Sequence, residues 1–230
     1  VTPFFERLLL HEDGVAPGPW NMALDQAWLE LGGRPVLRVY GWTEPTVTLG
    51  YAQSLAKLRD SLPPWPVVRR WTGGGVVLHQ GDATYSVIVP ASDGWSQTTA
   101  LESYRSLHGS LAESLCENGQ AGCRLALPED VIEAPFCFVA PAVHDVIRGQ
   151  VKVAGAGQRR GRLGLLHQGS VQQVVLPPGF WRAWAGRLAR DVEVVSEVPE
   201  AVRARAEQLV AGRYALPEWL EERDDRLNER

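Results

Sequence analysis

Three consecutive glycines, Gly73-Gly74-Gly75, set between two arginines and a histidine, constrain this chain more than any other stretch. The segment reads Arg69-Arg-Trp-Thr-Gly-Gly-Gly-Val-Val-Leu-His79 and runs on through Gly81-Asp-Ala-Thr-Tyr-Ser-Val-Ile-Val-Pro90. Val67 and Val68 precede the arginines, and the apolar runs after the glycines read as two strands separated by a polar turn. Glycine loses more backbone freedom on folding than any other residue. Three in a row therefore mark a place that needs positive φ or close approach by another molecule. A positive cluster on one side and a histidine on the other suit an anionic or carbonyl-bearing ligand. The same residues suit a glycine-rich hairpin turn with solvated arginines, and composition does not choose between the two.

The 230 residues suit one large domain, or one domain with a small appendage, and are enough to bury a sizeable core. A hydrophobic content of 45% with 22% charged residues is ordinary for a globular protein. The net charge of −4 gives no general reason to expect nucleic acid or a membrane surface as partner. No apolar run approaches a membrane span, and Val1-Thr-Pro-Phe-Phe lacks the basic start and apolar stretch of a signal peptide, so a cytoplasmic location is expected. Cys116, Cys123 and Cys137 are odd in number and have neither CxxC nor Cys/His spacing, so no metal site is expected. Cys116 and Cys123 read as ordinary buried or loop thiols.

In chain order, residues 4–10 read as a strand, 14–19 as a Gly/Pro loop and 21–31 as a helix with Met22, Leu24, Trp28 and Leu31 near one face. Strands are expected at 36–40 and 46–49, with a turn from Gly41 to Pro45. Thr99-Ala-Leu-Glu102 is a capping box opening a helix with Leu101, Tyr104, Leu107, Leu111 and Leu115 on its apolar face. Residues 128–141 read as a loop and 151–157 as a strand carrying Lys152. A basic turn is expected at 158–162, then an apolar stretch from 163 to 176. From about 178 to 230 the chain reads as helical, ending in a charged, solvated tail from Glu218.

This order predicts an α+β fold with a mixed or antiparallel sheet flanked by helices, because helices do not separate the strands regularly. The glycines match neither GxGxxG nor the P-loop pattern. An inward-facing Lys152 must pair with a carboxylate or meet a ligand, whereas an outward-facing one is an edge-strand charge; the pattern does not decide.

Taken together, Arg69-Arg-x-Thr-Gly-Gly-Gly-x-Val-x-His79 with Tyr85-Ser86, Lys152-Val-Ala-Gly-x-x-Gln-Arg-Arg160 and Leu166-His-Gln-Gly-Ser170 resemble the signature set of the lipoate-protein ligase and octanoyltransferase superfamily. Asn21-Met-Ala-Leu-Asp25, Arg38-Val-Tyr-Gly-Trp42 and Leu49-Gly-Tyr-x-Gln53 fit as well, so the resemblance covers residues 5 to 180. It implies the biotin/lipoate ligase fold, related to class II synthetases. Residues 1–230 would form a single catalytic domain with a helical tail and no separate accessory domain. The glycine loop would line an acyl tunnel, with Arg70, Gly73, Gly74, Gly75, His79, Gly155 and Ala156 binding substrate. Lys152 corresponds to the family's essential lysine, whose charge steadies the oxyanion formed when an acyl carbonyl is attacked.

The family has an ATP-dependent branch, which ligates free lipoate, and a transferase branch, which takes octanoate from acyl-carrier protein without cofactor. The ligases read His-Asp-x-Gly-Asn after the glycines, with the Asn helping to bind nucleotide and metal; here the chain reads His79-Gln-Gly-Asp-Ala-Thr. Cys137 lies in Phe136-Cys-Phe-x-Ala-Pro141, fifteen residues before Lys152, where the cysteine-dependent transferases place their nucleophile. With so short a stretch after Tyr214, no accessory adenylation domain is expected. Octanoyl transfer through Cys137 and Lys152 is therefore expected. The donor would be octanoyl-acyl-carrier protein, and the acceptor a lysine of a lipoyl domain or of the glycine-cleavage carrier protein. The alternatives are an ATP- and Mg-dependent lipoate ligase and a non-catalytic member that only binds. Asp145, His144 or His79 would orient groups or accept a proton, and the sequence does not choose among them; His167 and Ser170 read as structural support.

Overall fold

The computed structural model describes residues 2–131, 140–225 and 227. Its elements in chain order are β1 (Phe5–Ala16), α1 (Gly18–Leu31), β2 (Val36–Trp42), β3 (Thr46–Leu49), α2 (Leu55–Leu58), β4 (Val67–Arg69), β5 (Val77–His79) and β6 (Ala83–Pro90). Then come α3 (Ala100–Glu117), β7 (Cys123–Leu125), β8 (Val146–Arg148), β9 (Val151–Gly161), β10 (Gly164–Val171), α4 (Phe180–Leu188), β11 (Ala189–Val195), α5 (Glu200–Leu209) and α6 (Pro217–Glu222). The large sheet has the order β11-β1-β2-β6-β10-β9-β8-β7, and a small one runs β4-β3-β5. β1 lies parallel to both β11 and β2, while the pairs from β2 across to β7 are antiparallel, so the sheet is mixed as expected.

Side chains alternate across a strand, so one strand feeds two cores. On β6, Val87 and Val89 face one way, onto Leu107, Leu111 and Leu115 of α3 and Trp184 of α4. Ile88 faces the other way, with Leu166 of β10, onto Leu24 and Trp28 of α1 and Leu209 of α5. The capping box holds: the Thr99 side chain accepts from the Glu102 amide, and Glu102 reaches back to the Thr99 amide. Leu101, read as part of that helix's apolar face, is exposed in the first turn.

Several boundaries differ from the sequence expectation. The Gly/Pro stretch at 14–19 is divided: Gly14 to Ala16 extend β1, and α1 starts at Gly18 with Pro19 in its first turn, where a missing N–H costs nothing. Leu31 is exposed, while every residue from Asn21 to Leu29 is buried, because α5 covers the face of α1 that the sheet does not. Val77–His79 does not form a hairpin with β6; it pairs with β3 in the small sheet. The basic stretch Gln158 to Arg160 is not a turn but lies inside β9, opposite Leu165, Leu166 and His167. The C-terminal region is not all helical either. β11 adds a parallel edge strand to β1, with Leu8 opposite Val192. Trp219 in the supposed solvated tail is buried. Among the described residues no helix is long and apolar enough to cross a membrane.

Candidate functional site

A cavity of about 720 Å³ opens between the glycine loop, the facing ends of β9 and β10, and residues of α1, α3 and β2. That volume is ordinary for a small-molecule site. Met22, Tyr40, Trp42 and Val77 supply much of its wall, and Lys152, Asp145 and Tyr104 stand along one side.

Lys152 reaches the cavity through a β-bulge. Ile147 of β8 faces Lys152, but Val146 faces Ala154, so β9 carries one residue more than its partner. An extra residue reverses the alternation beyond it. Lys152 thereby turns to the side occupied by Gly155 and Gly157, and its side chain is only 7% exposed. Its Nζ lies 2.8 Å from Asp145 Oδ2, which also accepts from the Ala142 amide at 2.7 Å. Asp145 Oδ1 accepts from the Tyr104 hydroxyl at 2.5 Å. Burial, followed by the Asp145 charge, pushes the Tyr104 ionisation well above its ordinary value, so the phenol keeps its proton. Gly155 makes room for the pair. A Cβ there would stand 2.5 Å from Lys152 Cε and 2.8 Å from Nζ.

The glycine loop is held from beneath by Arg70. Its guanidinium donates to the carbonyls of Gly73 and Gly75 and to the hydroxyl and carbonyl of Thr48. Gly74 has φ +93°, a left-handed conformation that side chains avoid. Gly74 and Gly75 line the cavity, whereas Gly73 turns its amide onto the Gln158 carbonyl of β9 at 3.1 Å. Gly157 allows that approach, since a Cβ there would lie 2.3 Å from the Gly73 carbonyl oxygen. Of the three glycines expected to line an acyl tunnel, Gly74 and Gly75 line this cavity and Gly73 does not. Arg69 points away from it, donating to the carbonyls of Gly50, Tyr51, Gln53, Trp219 and Leu220.

His79 lines the cavity with both ring nitrogens engaged. Nδ1 lies 2.8 Å from Asp82 Oδ2 and Nε2 2.9 Å from the Thr48 hydroxyl, while Trp42 stacks on the ring at 4.1 Å. Burial holds the imidazole neutral by lowering its pKa, so Nδ1–H donates to Asp82 and Nε2 accepts from Thr48. Burial alone would raise the Asp82 pKa, yet the bonds from His79, Ser170 and Thr84 leave it below the ordinary value. A histidine so occupied braces the loop through Thr48 and Arg70 rather than offering a nitrogen to a ligand.

A second buried carboxylate, Asp25 of α1, was not singled out from the sequence, although it closes the quoted motif Asn21-Met-Ala-Leu-Asp25. It accepts from Arg38 at 2.8 Å, Ser86 at 2.6 Å and Gln168 at 2.7 Å, and from the Tyr40 hydroxyl at 3.1 Å. Gln168 in turn accepts from Thr72 beside the glycines. The network ties α1, β2, β6 and β10 to the loop. Arg70, Gly155, Ala156 and Lys152 line the one cavity with Gly74, Gly75 and His79; Cys137 lies outside the described residues. Cys116 and Cys123 are free thiols near the end of α3, the Cys116 thiol meeting the Cys123 carbonyl. Among the described residues no group of three His, Cys, Asp or Glu side chains could hold a metal ion.

Fold and site thus define an α+β domain with a glycine-closed cavity of small-molecule size and a lysine–aspartate pair on its wall. The chain belongs to the family of the lipoyl protein ligase A/B catalytic domain, whose model matches residues 17–204. It is 34% identical over 181 residues to the octanoyltransferase LipM of Kyrpidia tusciae, an alignment covering 71% of this chain and 64% of that protein. The chain spans 61–64% of the length of this and similar curated relatives. Among solved structures, the T. acidophilum protein Ta0514 with bound lipoic acid superposes with a TM-score of 0.71 at 20% identity, covering 94% of this chain and 99% of that one. A chain from the structural analysis of a bipartite lipoate protein ligase and its E2 lipoyl domain from Thermoplasma acidophilum gives a TM-score of 0.67 at 18% identity, covering 95% and 96%. At those identities the likeness shows a shared fold, the one expected from the motifs.

Proposed function

We propose that this protein moves an octanoyl group from a carrier-protein thioester to the ε-amine of a lysine on a lipoyl domain or glycine-cleavage carrier protein, without nucleotide. The observation that carries the reading is the Lys152–Asp145 pair on the wall of the cavity that the glycine loop closes. The LipM relatives support transfer over ligation, and the E2 lipoyl domain named with the Thermoplasma ligase supports the class of acceptor.

The chain of the acyl group lies against the apolar wall, and burying each CH₂ there contributes about 0.8 kcal/mol. Its carbonyl faces Lys152. Cys137, assigned from its sequence motif, attacks as the thiolate. The new C–S bond forms, the carbonyl oxygen becomes an oxyanion opposite the Lys152 ammonium, and the bond to the carrier's thiol breaks. The departing thiolate takes a proton from water. In the second half the neutral acceptor amine attacks the Cys137 thioester, the C–N bond forms and the C–S bond breaks. The nitrogen gives its extra proton to solvent, replacing the one the carrier thiol took from water, and the Cys137 thiolate is restored. A fixed cation beside the carbon that turns tetrahedral twice serves both halves.

Incubation with octanoyl-carrier protein, without ATP, is expected to add one octanoyl mass that hydroxylamine removes. A lipoyl domain then collects the group as a stable amide. Modification that appears only with ATP and free lipoate, with release of pyrophosphate, would overturn the proposal in favour of a ligase.

A further inference from the structure

Strand β8 ends at Val146, opposite Ala154, so the next outward-facing backbone groups of β9, the N–H and C=O of Ala156, have no strand to meet. The Tyr104 hydroxyl of α3 stands in that gap. It accepts from the Ala156 amide at 3.0 Å, lies 3.2 Å from the Ala156 carbonyl and lies 2.5 Å from Asp145 Oδ1. A hydroxyl has one proton to give, and the short contact to the carboxylate takes it. The phenol is therefore a strut between the strand that carries Lys152 and the loop that carries Asp145.

We propose that Tyr104 and Asp145 are positioning residues of the acyl transfer, and that together they fix the Lys152 ammonium against the cavity wall. The inference rests on the transfer reading above and adds to it a reason for the lysine's orientation. Both oxygens of the Asp145 carboxylate are committed: Oδ1 to Tyr104, and Oδ2 to Lys152 and the Ala142 amide. The carboxylate is 1% exposed, so it has no solvent into which to swing. Removing the phenol oxygen leaves Asp145 Oδ1 short of a partner in a buried place and the Ala156 amide short of one in a half-buried place. Such groups shift to find new ones. The shift is transmitted to Nζ through the shared carboxylate. Among the described residues, the remaining titratable neighbours of Asp145 are His108 on α3, Tyr85 on β6 and His144 on its own loop. His108 is committed through Nδ1 to the His144 carbonyl and offers Asp145 no substitute donor.

The chain makes the test unusually direct, because Lys57 and Lys152 are its only lysines and Lys57 is exposed. The rate at which formaldehyde and a mild borane reductant methylate each lysine, read by peptide mass spectrometry, reports how firmly Lys152 is held, with Lys57 as internal reference. Asp145→Asn is expected to raise the Lys152/Lys57 labelling ratio by about tenfold or more. Tyr104→Phe is expected to raise it a few-fold. In octanoyl transfer, Tyr104→Phe is expected to lower kcat by about 10- to 100-fold while KM for the carrier stays within about twofold, as for a displaced catalytic group.

A Tyr104→Phe protein with wild-type kcat and an unchanged labelling ratio would overturn the proposal, even if its stability had fallen. Asp145→Asn carries the labelling test by itself if the other variant does not fold. Labelling needs no acyl donor. A wild-type protein that transfers nothing would sink the transfer reading, while the labelling ratios still decide whether the two residues hold Lys152.

Discussion

Substituting Gly155 by alanine tests the site with one methyl group. The new Cβ would meet Lys152 Cε at 2.5 Å, Nζ at 2.8 Å and Asp145 Oδ1 at 3.1 Å. Carbon atoms settle at about 3.5–4.0 Å from each other, so the lysine tip must withdraw by roughly 1 Å. A displacement of about 1 Å in a catalytic group costs on the order of 10²-fold in rate, or about 2.7 kcal/mol of barrier. The fold itself should suffer less, because the atoms that must yield end a flexible side chain and Gly155 has no left-handed φ for alanine to strain. A stability loss of at most about 2 kcal/mol is expected. Single-turnover octanoyl transfer and urea unfolding of the same preparation separate the two effects. A Gly155→Ala protein that folds normally and keeps kcat within threefold of wild type would refute the claim that the lysine's position matters.

Gly157→Ala is expected to behave differently, since its Cβ would meet the Gly73 carbonyl oxygen at 2.3 Å and backbone cannot yield cheaply; both the urea midpoint and transfer should fall, by about 1–3 kcal/mol for stability. Arg69→Lys gives up a guanidinium fork that serves five carbonyls, and should cost about 2–4 kcal/mol in denaturant unfolding while an engineered Trp219→Phe in wild type costs less. Burial lowers the His108 pKa to about 4, so the folded state resists the proton that the unfolded chain accepts near pH 6.5; stability is complete above that pH and declines as pH falls toward 4, by about 3 kcal/mol from this residue. Urea midpoints between pH 7 and 4.5 should fall, and fall less in a His108→Gln protein.

How far residues announced their roles depended on whether the signal was local. The capping box at Thr99 and Glu102 is a four-residue device and formed as written. The mixed sheet followed from strand order. Lys152 was legible as a mid-strand charge, but its direction depends on a bulge created by pairing with a distant strand, and nothing between residues 151 and 157 encodes that. β11 was missed because Arg190, Asp191 and Glu193 look like helix surface; at the sheet's edge, their side chains stay in water while the backbone pairs with β1. Tyr104 was read as one more apolar residue on the α3 face. Its hydroxyl, in a row otherwise made of leucines, was the available hint that this position meets something polar. Asp25 was likewise hidden, because the partners that make a carboxylate tolerable on the sheet-facing side of α1, namely Arg38, Tyr40, Ser86 and Gln168, come from three separate strands.

The Arg69 guanidinium also sets an order of assembly. Its partners at Gly50, Tyr51 and Gln53 leave the ribosome ahead of it, but those at Trp219 and Leu220 follow 150 residues later, and Trp219 then returns a bond from its indole to the Arg69 carbonyl. The nascent chain therefore carries its glycine loop with the rear fastening open until residues 219 and 220 have been added. Helix α6 acts as the latch, and a chain interrupted before residue 219 would have the cavity-lining residues without the buckle that holds their loop shut.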